Sequence, residues 1–241
     1  MKYVLLILLL PAMTYSAPMR DDITDPNLMF QYHFDEVSGS TAADSSKNHN
    51  DCVLFSSYTV AWVTGLFGNG LFLDGGMCKS KLNTTTPTDW TLAAWIKPRI
   101  TYLSGGDSGM NVIGQWPLGY SNYCGLRLGK SVIIDMGTDG ITTYFGATQV
   151  STGTWHFICA VRRSGIAKEV WLDGQLDGTT TSGTGAMGPQ PLNLGRDENG
   201  QNMNYSGIID EAFALSRAAT PGEIQKWYTD GFGRHVTVAG Q

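Results

Sequence analysis

Trp155-His-Phe-Ile-Cys-Ala-Val161 opens the stretch that decides the fold, and Glu169-Val-Trp-Leu-Asp-Gly174 and Gly207-Ile-Ile-Asp-Glu211 complete it. Each is a short apolar run next to Gly or Asp-Gly. Gly, Asn and Asp readily adopt the positive φ angles of the two-residue turns that join antiparallel strands. The pattern therefore predicts an antiparallel sheet with tight hairpins.

Two runs earlier in the chain have the same character. Residues 28–34 alternate with a period of two, which predicts a strand with one core face. The predicted core side chains are Leu28, Phe30, Tyr32 and Phe34, and the predicted outward ones are Met29, Gln31 and His33. Trp90-Thr-Leu-Ala-Ala-Trp-Ile-Lys-Pro98 is apolar on both faces, so we expect a central strand. Pro98 ends it because proline lacks the N–H that a sheet requires.

Other segments complete an all-β pattern with one helix. Further strands are predicted near residues 111–115, 123–128, 132–136 and 142–145. The helix is predicted at residues 220–228, where Thr220 is the N-cap, Pro221 the first helical residue and Glu223 the end of a capping box. Gly231 is expected to end it.

The order of these motifs resembles that of a known family. Trp-His at 155–156, Trp-Leu-Asp-Gly at 171–174 and Gly-Ile-Ile-Asp-Glu at 207–211 are similar to the laminin G-like jelly-roll domain of the concanavalin A-like lectin/glucanase superfamily. Gly65-Leu-Phe-Gly-Asn-Gly-Leu-Phe-Leu-Asp-Gly75 also resembles a motif of that family, with Leu71 and Leu73 facing inward. The resemblance implies an all-β fold, a two-sheet antiparallel jelly-roll sandwich with one short C-terminal helix. It implies a domain at residues 28–230, a lead at 17–27 and a C-terminal tail at 231–241.

The N-terminus predicts secretion. Lys2, the apolar run Val4-Leu-Leu-Ile-Leu-Leu-Leu10 and the small residues after it are typical of a signal peptide and too short to span a membrane. Cleavage is predicted after Ser16, with cleavage after Ala17 as the second choice. The net charge of −5, without a cluster of Lys and Arg, argues against nucleic acid or anionic lipid as a partner.

Four cysteines, Cys52, Cys78, Cys124 and Cys159, suit an oxidising compartment. Because none lies in a Cys-x-x-Cys pair, zinc and thioredoxin-like redox chemistry are disfavoured. We favour disulfides Cys52–Cys78 and Cys124–Cys159, since each joins neighbouring strands of the expected meander. In the alternative, Cys159 is a buried thiol on the apolar face of its strand.

The sequence predicts a protein that is not an enzyme. Glycan-cleaving relatives in the superfamily carry acids at alternate positions of one strand, which sets them about 5 Å apart in one groove. Here the acids are adjacent, at Asp35-Glu36 and Asp210-Glu211, so their side chains should diverge. Asp210 is instead expected to bond backbone at the end of the first strand. The Gly-Asp-Ser-Gly sequence at 106–109 lacks the upstream histidine of a protease, and His156 is predicted to be an ordinary strand residue.

Calcium is the one cofactor that the sequence suggests. Calcium prefers oxygen ligands from Asp, Asn and backbone carbonyls, and many laminin G-like domains carry one. The candidate ligands lie in polar loops at Asp44, Asn48, Asn50, Asp107 and Asp197, with Asp139 and Asn199 as further oxygen donors. In the alternative, the same side chains bond their own backbone in Asx turns.

Aromatic residues in polar loops suggest a sugar-binding surface, because a ring packs on the apolar face of a pyranose. The candidates are Trp116, Tyr120, Tyr123 and Tyr205, with Asn199 to bond hydroxyl groups. Equally, such a tryptophan can seal the edge of the sandwich. The leading expectation is a secreted, non-catalytic module that binds glycan or glycoprotein through loops at one end of the sandwich. The alternatives are a self-assembling structural or coat protein and a glycan-active hydrolase.

Overall fold

The computed structural model describes residues 23–55, 58–83, 87–101, 109–115, 123–137, 142–181, 191–196 and 204–239. Within these residues the chain forms two antiparallel sheets packed face to face and a helix, which confirms the predicted jelly-roll sandwich. In chain order the elements are β1 (Leu28–Tyr32), β2 (Thr41–Ala42), β3 (Cys52–Phe55), β4 (Thr59–Thr64), β5 (Asn69–Asp74), β6 (Met77–Asn83), β7 (Trp90–Pro98), β8 (Met110–Gln115), β9 (Tyr123–Leu128), β10 (Val132–Gly137), β11 (Thr142–Phe145), β12 (His156–Arg163), β13 (Ala167–Leu172), β14 (Gln175–Thr180), β15 (Pro191–Leu194), β16 (Ser206–Leu215) and α1 (Pro221–Ala239).

The strand order brings distant parts of the chain together. The first sheet has the order β14-β13-β12-β7-β16-β5-β4, and β1 also pairs with β16. The second sheet has the order β11-β10-β9-β8-β15-β6-β3-β2. Because β16 lies between β7 and β5, the last strand of the chain is at the centre of the first sheet.

β7 is the central strand that its two apolar faces predicted. It pairs with β12 on one side and β16 on the other. Its inward side chains, Leu92, Ala94 and Ile96, join the main core between the sheets. Its outward side chains, Ala93 and Trp95, join a second buried cluster on the outer face of the first sheet. Full burial of such a side chain contributes about 1.5–3 kcal/mol, which explains why a strand apolar on both faces is stable here.

β1 departs from the predicted alternation. All five of its residues are buried, and its register with β16 shifts between Leu28 and Phe30. A bulge of this kind turns a side chain to the other face. Leu28 therefore lies in the outer cluster while Met29 joins the main core. The prediction of Leu28 inward and Met29 outward is wrong, whereas Phe30, Tyr32 and Phe34 are in the core as predicted.

α1 begins as predicted and ends later. The N–H of Thr220 donates to Oε2 of Glu223 at 2.7 Å, and the N–H of Glu223 donates to Oγ1 of Thr220 at 3.3 Å, which forms the capping box. The helix continues to Ala239, so the expected helix end at Gly231 is wrong, and the domain bounds stay a prediction. A glycine within a helix costs only about 1 kcal/mol relative to alanine. No helix in the described residues is long and apolar enough to cross a membrane.

The outer face of the first sheet is covered by aromatic packing from α1. The ring of Trp227 lies edge-on to Phe213, with centroids 4.8 Å apart. The ring of Tyr228 stacks on Trp95 at 5.7 Å. These contacts bury one face of the helix against the sheet and leave that face of the sandwich closed.

One of the two favoured disulfides is present. Cys52 and Cys78 are bonded, with Cα atoms 5.5 Å apart, as predicted. The pairing of Cys124 with Cys159 is wrong. Cys124 lies in the core between the sheets, whereas Cys159 lies in the cluster on the outer face of the first sheet, so the sheet itself separates them. Cys159 is the buried thiol of the alternative interpretation, and burial raises its pKa.

Asp210 holds the loop that leads into β5. It is fully buried, and its Oδ2 accepts the N–H groups of Leu66 and Phe67 at 2.8 and 3.0 Å. A Cβ on Gly65 would lie 2.6 Å from the same oxygen, so only glycine permits this approach. The acid within an apolar strand therefore anchors the loop before β5. Glu211 faces His33 instead, at 2.7 Å, so the two adjacent acids diverge as predicted.

Candidate functional site

The polar loop before β3 uses its acid to hold the chain. Oδ1 of Asp44 accepts the N–H groups of Gln31 and Ser46, at 2.9 and 2.8 Å. Oδ2 accepts the N–H of Asn50 at 2.7 Å. Both carboxylate oxygens thus face hydrogen-bond donors, so a cation at Asp44 would have to displace them. This is the backbone-bonding alternative weighed against calcium.

The two asparagines of this loop bond β1 in the same way. Nδ2 of Asn48 donates to Leu28 O at 2.6 Å, and Nδ2 of Asn50 donates to Met29 O at 2.9 Å. Within the described residues, no three His, Cys, Asp or Glu side chains are grouped as metal ligands. Asp107, Asp139, Asp197 and Asn199 lie outside the described residues, so calcium there stays a prediction.

Tyr205, one of the predicted sugar-binding residues, is buried and not exposed to solvent. Its side chain is fully buried in the main core, and its hydroxyl donates to Ile208 O at 3.1 Å. Its N–H donates to Gly195 O and its carbonyl accepts from Gly75. The prediction that Tyr205 stacks on a ligand is therefore wrong, because its ring fills the end of the core.

The described strands that flank the other aromatic candidates meet at the opposite end of the sandwich. β8 begins beside Gly195, whose N–H donates to Val112 O, and ends at Gln115. Tyr123 begins β9 at that far end, paired with Gly137. The strand ends that bound Trp116 and Tyr120 are thus at one end of the molecule, and those that bound Asn199 are at the other. Trp116, Tyr120 and Asn199 lie outside the described residues, and of Tyr123 only the backbone is described.

A half-exposed aromatic ring marks the end of the sandwich where β5, β7 and β15 finish. Tyr58 is 49% exposed, and its ring lies against Gly75, which has a φ of 78°. A Cβ at Gly75 would lie 3.2 Å from Cδ1 of Tyr58. Glycine is needed there both for its backbone conformation and for the close approach of the ring.

One charged side chain lies over this ring, and an ion pair is formed by the residue that precedes Gly75. The guanidinium carbon of Arg196 lies over the Tyr58 ring, 4.8 Å from its centroid. Asp74 precedes Gly75, and its Oδ2 accepts Nη1 of Arg99 at 3.0 Å. No carboxylate in the described part of the chain pairs with Arg196. We call this surface the rim patch, and it consists of Tyr58, Asp74, Gly75, Arg99 and Arg196.

Backbone hydrogen bonds hold the rim patch together. Arg99 N donates to Ser206 O at 2.9 Å, and Gly75 N donates to Tyr205 O at 3.2 Å. The strand ends that carry the patch are therefore joined directly, and they hold its exposed side chains on a rigid base. Sequence reasoning missed Tyr58 because it directly precedes a strand and reads as part of it. The signal was the Asp-Gly turn at 74–75, since the glycine seats the ring.

A Ser-His-Asp group lies on the same end of the first sheet. Oγ of Ser151 is 2.8 Å from Nε2 of His156, whose Nδ1 is 2.9 Å from Oδ2 of Asp173. Oδ1 of Asp173 accepts the N–H of Phe157, which ties the β13–β14 turn to β12. The N–H of Gly153 is donated to a carbonyl, so it is not a free oxyanion donor. We interpret the group as a structural link between the β13–β14 turn and β12. His156 is then the strand residue that the sequence predicted.

The outward face of the second sheet is a separate polar surface. The register places Lys79, Asn193, Gly114, Gly125 and Asp135 in one row across five strands. Asn193 is only 1% exposed, so this row is recessed. On the described strands of this face, Asp135 is the single acidic position. Two facing acids are what glycoside hydrolysis ordinarily requires, and these strands do not provide them.

Many solved structures share this fold, and three of them are described below. Domain 4 of AbnA, a GH43 extracellular arabinanase from Geobacillus stearothermophilus, solved with arabinotriose, has a TM-score of 0.67 at 18% identity, covering 83% of this chain and 97% of that one. The binding domain of Paraclostridial Mosquitocidal Protein 1 has a TM-score of 0.64 at 15% identity, covering 86% and 52%. A botulinum neurotoxin type C structure, described by the dependence of cell entry on two ganglioside molecules, has a TM-score of 0.59 at 8% identity, covering 85% and 51%.

These identities establish the fold and no more. This chain spans about half of each of the two toxin structures. No curated protein sequence matches the chain. The sequence model of the Laminin_G_3 family, described as "Concanavalin A-like lectin/glucanases superfamily", matches residues 74–225, which is more than half of the 241 residues. The protein therefore belongs to the concanavalin A-like lectin/glucanase superfamily, in its laminin G-like branch.

Proposed function

We propose that this protein is a secreted, non-catalytic module that binds a glycan or glycoprotein through the rim patch. One observation carries the proposal: a half-exposed tyrosine ring lies under a guanidinium at one end of the sandwich. An arabinanase domain solved with arabinotriose has the same fold, which supports carbohydrate as the ligand class.

The chemistry of the patch suits a sugar. A pyranose has an apolar face that packs against an aromatic ring and hydroxyl groups that need hydrogen-bond partners. Tyr58 supplies the ring, Arg99 and Arg196 supply donors, and Asp74 supplies acceptors. Such a mixture of one ring and several polar groups fixes both the position and the orientation of a bound sugar.

Secretion and calcium enter the proposal from the sequence. The Cys52–Cys78 disulfide is consistent with an oxidising compartment, and the predicted signal peptide at residues 1–16 supplies the route. Calcium at Asp107 or Asp197 remains part of the proposal, since both belong to connections that leave strands beside the rim patch.

A glycan array with the purified mature protein tests the proposal. We expect saturable binding to one glycan class, competed by the free sugar and reduced about tenfold or more by Tyr58→Ala, because stacking of a ring contributes on the order of 1–2 kcal/mol. The control is Phe145→Ala, which removes another exposed ring on an edge strand. Equal loss in both variants, or no binding to any glycan, would contradict the proposal. A second array with chelator reports whether calcium contributes.

A further inference from the structure

We propose that the rim patch recognises an acidic sugar, a uronate or a sialate, by a direct contact between its carboxylate and the guanidinium of Arg196. The inference rests on the proposed function and specifies its ligand class. It also predicts that recognition of the acid needs no bridging calcium.

Arg196 is held against the ring of Tyr58. Its guanidinium lies 4.8 Å from the centroid of the Tyr58 ring, and no carboxylate of the described residues neutralises it. Stacking on a ring restricts a guanidinium and leaves the N–H groups at its edge available. The planar fork of those N–H groups matches a carboxylate with two parallel hydrogen bonds. An arginine held in this way is already oriented for an anionic ligand.

The other charged residues of the rim patch form an ion pair with each other. Asp74 is the nearest acid placed on the rim patch, and Arg99 pairs with it at 3.0 Å. The pair is neutral, so the positive charge of Arg196 is not cancelled within the patch. The whole chain has a charge of −5. Non-specific attraction of polyanions is therefore unfavourable, and a local contact has to supply the selectivity.

The charge of Arg196 lies close to the ring of Tyr58. The guanidinium and the aromatic ring are in contact, and the carboxylate of a uronate or sialate is attached directly to its sugar ring. A single residue of an acidic sugar can therefore place its carboxylate on Arg196 while its ring approaches the part of Tyr58 that the guanidinium leaves uncovered. A neutral sugar would use the tyrosine and leave the guanidinium with water.

The test compares matched sugars. Oligogalacturonate and sialyllactose are each titrated beside the same sugar whose carboxylates have been reduced to primary alcohols, by isothermal calorimetry in the presence of EDTA. We expect one of the two acids to bind about tenfold or more tightly than its reduced form, because hydrogen bonds to charged groups contribute more than neutral ones. Which of the two acids binds identifies the sugar class.

Variants assign that preference to Arg196. Arg196→Gln should bind the acid as weakly as the reduced sugar, and Arg196→Lys should recover only part of the preference, because it keeps the charge and loses the fork. Lys47→Gln removes one exposed charge from the loop before β3 and should bind as the parent does.

The outcomes separate the two proposals. If the acidic and reduced sugars bind equally, and Tyr58→Ala weakens both, the acidic-sugar inference is wrong while the rim patch remains the binding site. Retention of the acid preference by Arg196→Gln, or its loss in EDTA, also overturns the inference. Absence of binding to all the sugars of the array and the titration overturns both.

Discussion

Two arginines of this molecule are in opposite situations. Arg217, where β16 leads into α1, donates from Nε to Asp25 at 2.8 Å and from Nη1 to Glu223 at 3.0 Å. Arg196, on the rim patch, lies on a tyrosine and pairs with no carboxylate of the described residues. Arg217 is paired with carboxylates on both sides, and these pairs link the lead, the last strand and the helix. Arg196 is held in place by the ring, and no carboxylate in the described ranges neutralises it; this difference separates a structural site from a candidate binding site.

The two regions also differ in how they are closed. On the helix side, a loop and α1 cover the outer face of the first sheet with buried aromatic side chains. On the rim, the strand ends are joined by backbone hydrogen bonds, and side chains such as Tyr58 and Arg99 remain exposed. Substitutions on the helix side should therefore lower stability, whereas substitutions on the rim should lower binding.

The largest expected effect on stability is at Asp210, which anchors the loop that covers the first sheet. Asp210→Ala should reduce the free energy of unfolding by about 3 kcal/mol, because it removes a fully buried acceptor from the part-buried N–H groups of Leu66 and Phe67. Urea unfolding measures it. The control is Asp177→Ala, whose carboxylate also accepts a backbone N–H but at an exposed site. An equal loss in both variants would contradict the role assigned to burial.

Arg217→Ala is expected to have the next largest effect. It leaves the carboxylates of Asp25 and Glu223 unpaired, and Asp25 is only 11% exposed. We expect a loss of about 2 kcal/mol, between the values for exposed and buried ion pairs. Thermal unfolding followed by circular dichroism measures it, with Lys226→Ala as a control because that residue forms an exposed pair on the same helix. A change below that of Lys226→Ala would contradict the proposed structural role.

Gly75→Ala should lower both the stability of the protein and its glycan binding. At a φ of 78° an alanine is strained by about 1–2 kcal/mol, and its Cβ would also push Tyr58 aside. Gly153→Ala is a matched control, since Gly153 has a φ of 76° and open space around it. Both variants should lose similar stability, but only Gly75→Ala should lose glycan binding on the array. Full binding by Gly75→Ala would show that Tyr58 need not be seated on the glycine.

The sequence was sufficient for the fold and for much of the core. Apolar runs with Gly and Asp-Gly between them predicted the sandwich, and the two apolar faces of β7 predicted its central place. The exchange of Leu28 and Met29 was missed because a bulge depends on the partner strand. The Cys124–Cys159 pairing failed for a related reason, since neighbouring strands can still direct two side chains to opposite faces of a sheet.

The site was less accessible to sequence reasoning. Tyr205 was predicted to be exposed because polar residues surround it, but its neighbours along the chain do not reveal that the ring fills the end of the core. Tyr58 and Arg196 are 138 positions apart, and neither has a motif of its own. Their contact exists because β4 begins and β15 ends on the same side of the sandwich. A site built from single residues on separate strands leaves no local pattern to detect.

Glu223 should make the helix side sensitive to acid. Hydrogen bonds from Arg217 lower the pKa of Glu223 from 4.5 to about 2. Because the pKa is lowered in the folded state, the stabilisation is fully present above pH 4.5 and is lost as the pH falls towards 2. Glu223→Gln keeps an acceptor for the capping box, so at neutral pH it should cost about 1 kcal/mol after allowance for solvent screening. Urea unfolding between pH 7 and 3 should show the difference from the parent shrinking, and a constant difference would contradict this origin.

The smallest expected effect on stability is at Arg196, and it decides the comparison. The interaction of an exposed guanidinium with a tyrosine ring contributes about 0.5 kcal/mol, so Arg196→Gln should unfold within about that amount of the parent in urea. Among the described residues it would leave no carboxylate unpaired, in contrast to Arg217→Ala. A loss comparable to that of Arg217→Ala would mean that Arg196 also holds the fold together. In that case a lower affinity of Arg196 variants for acidic sugars would reflect a disturbed rim, so the stability measurement has to accompany the titration.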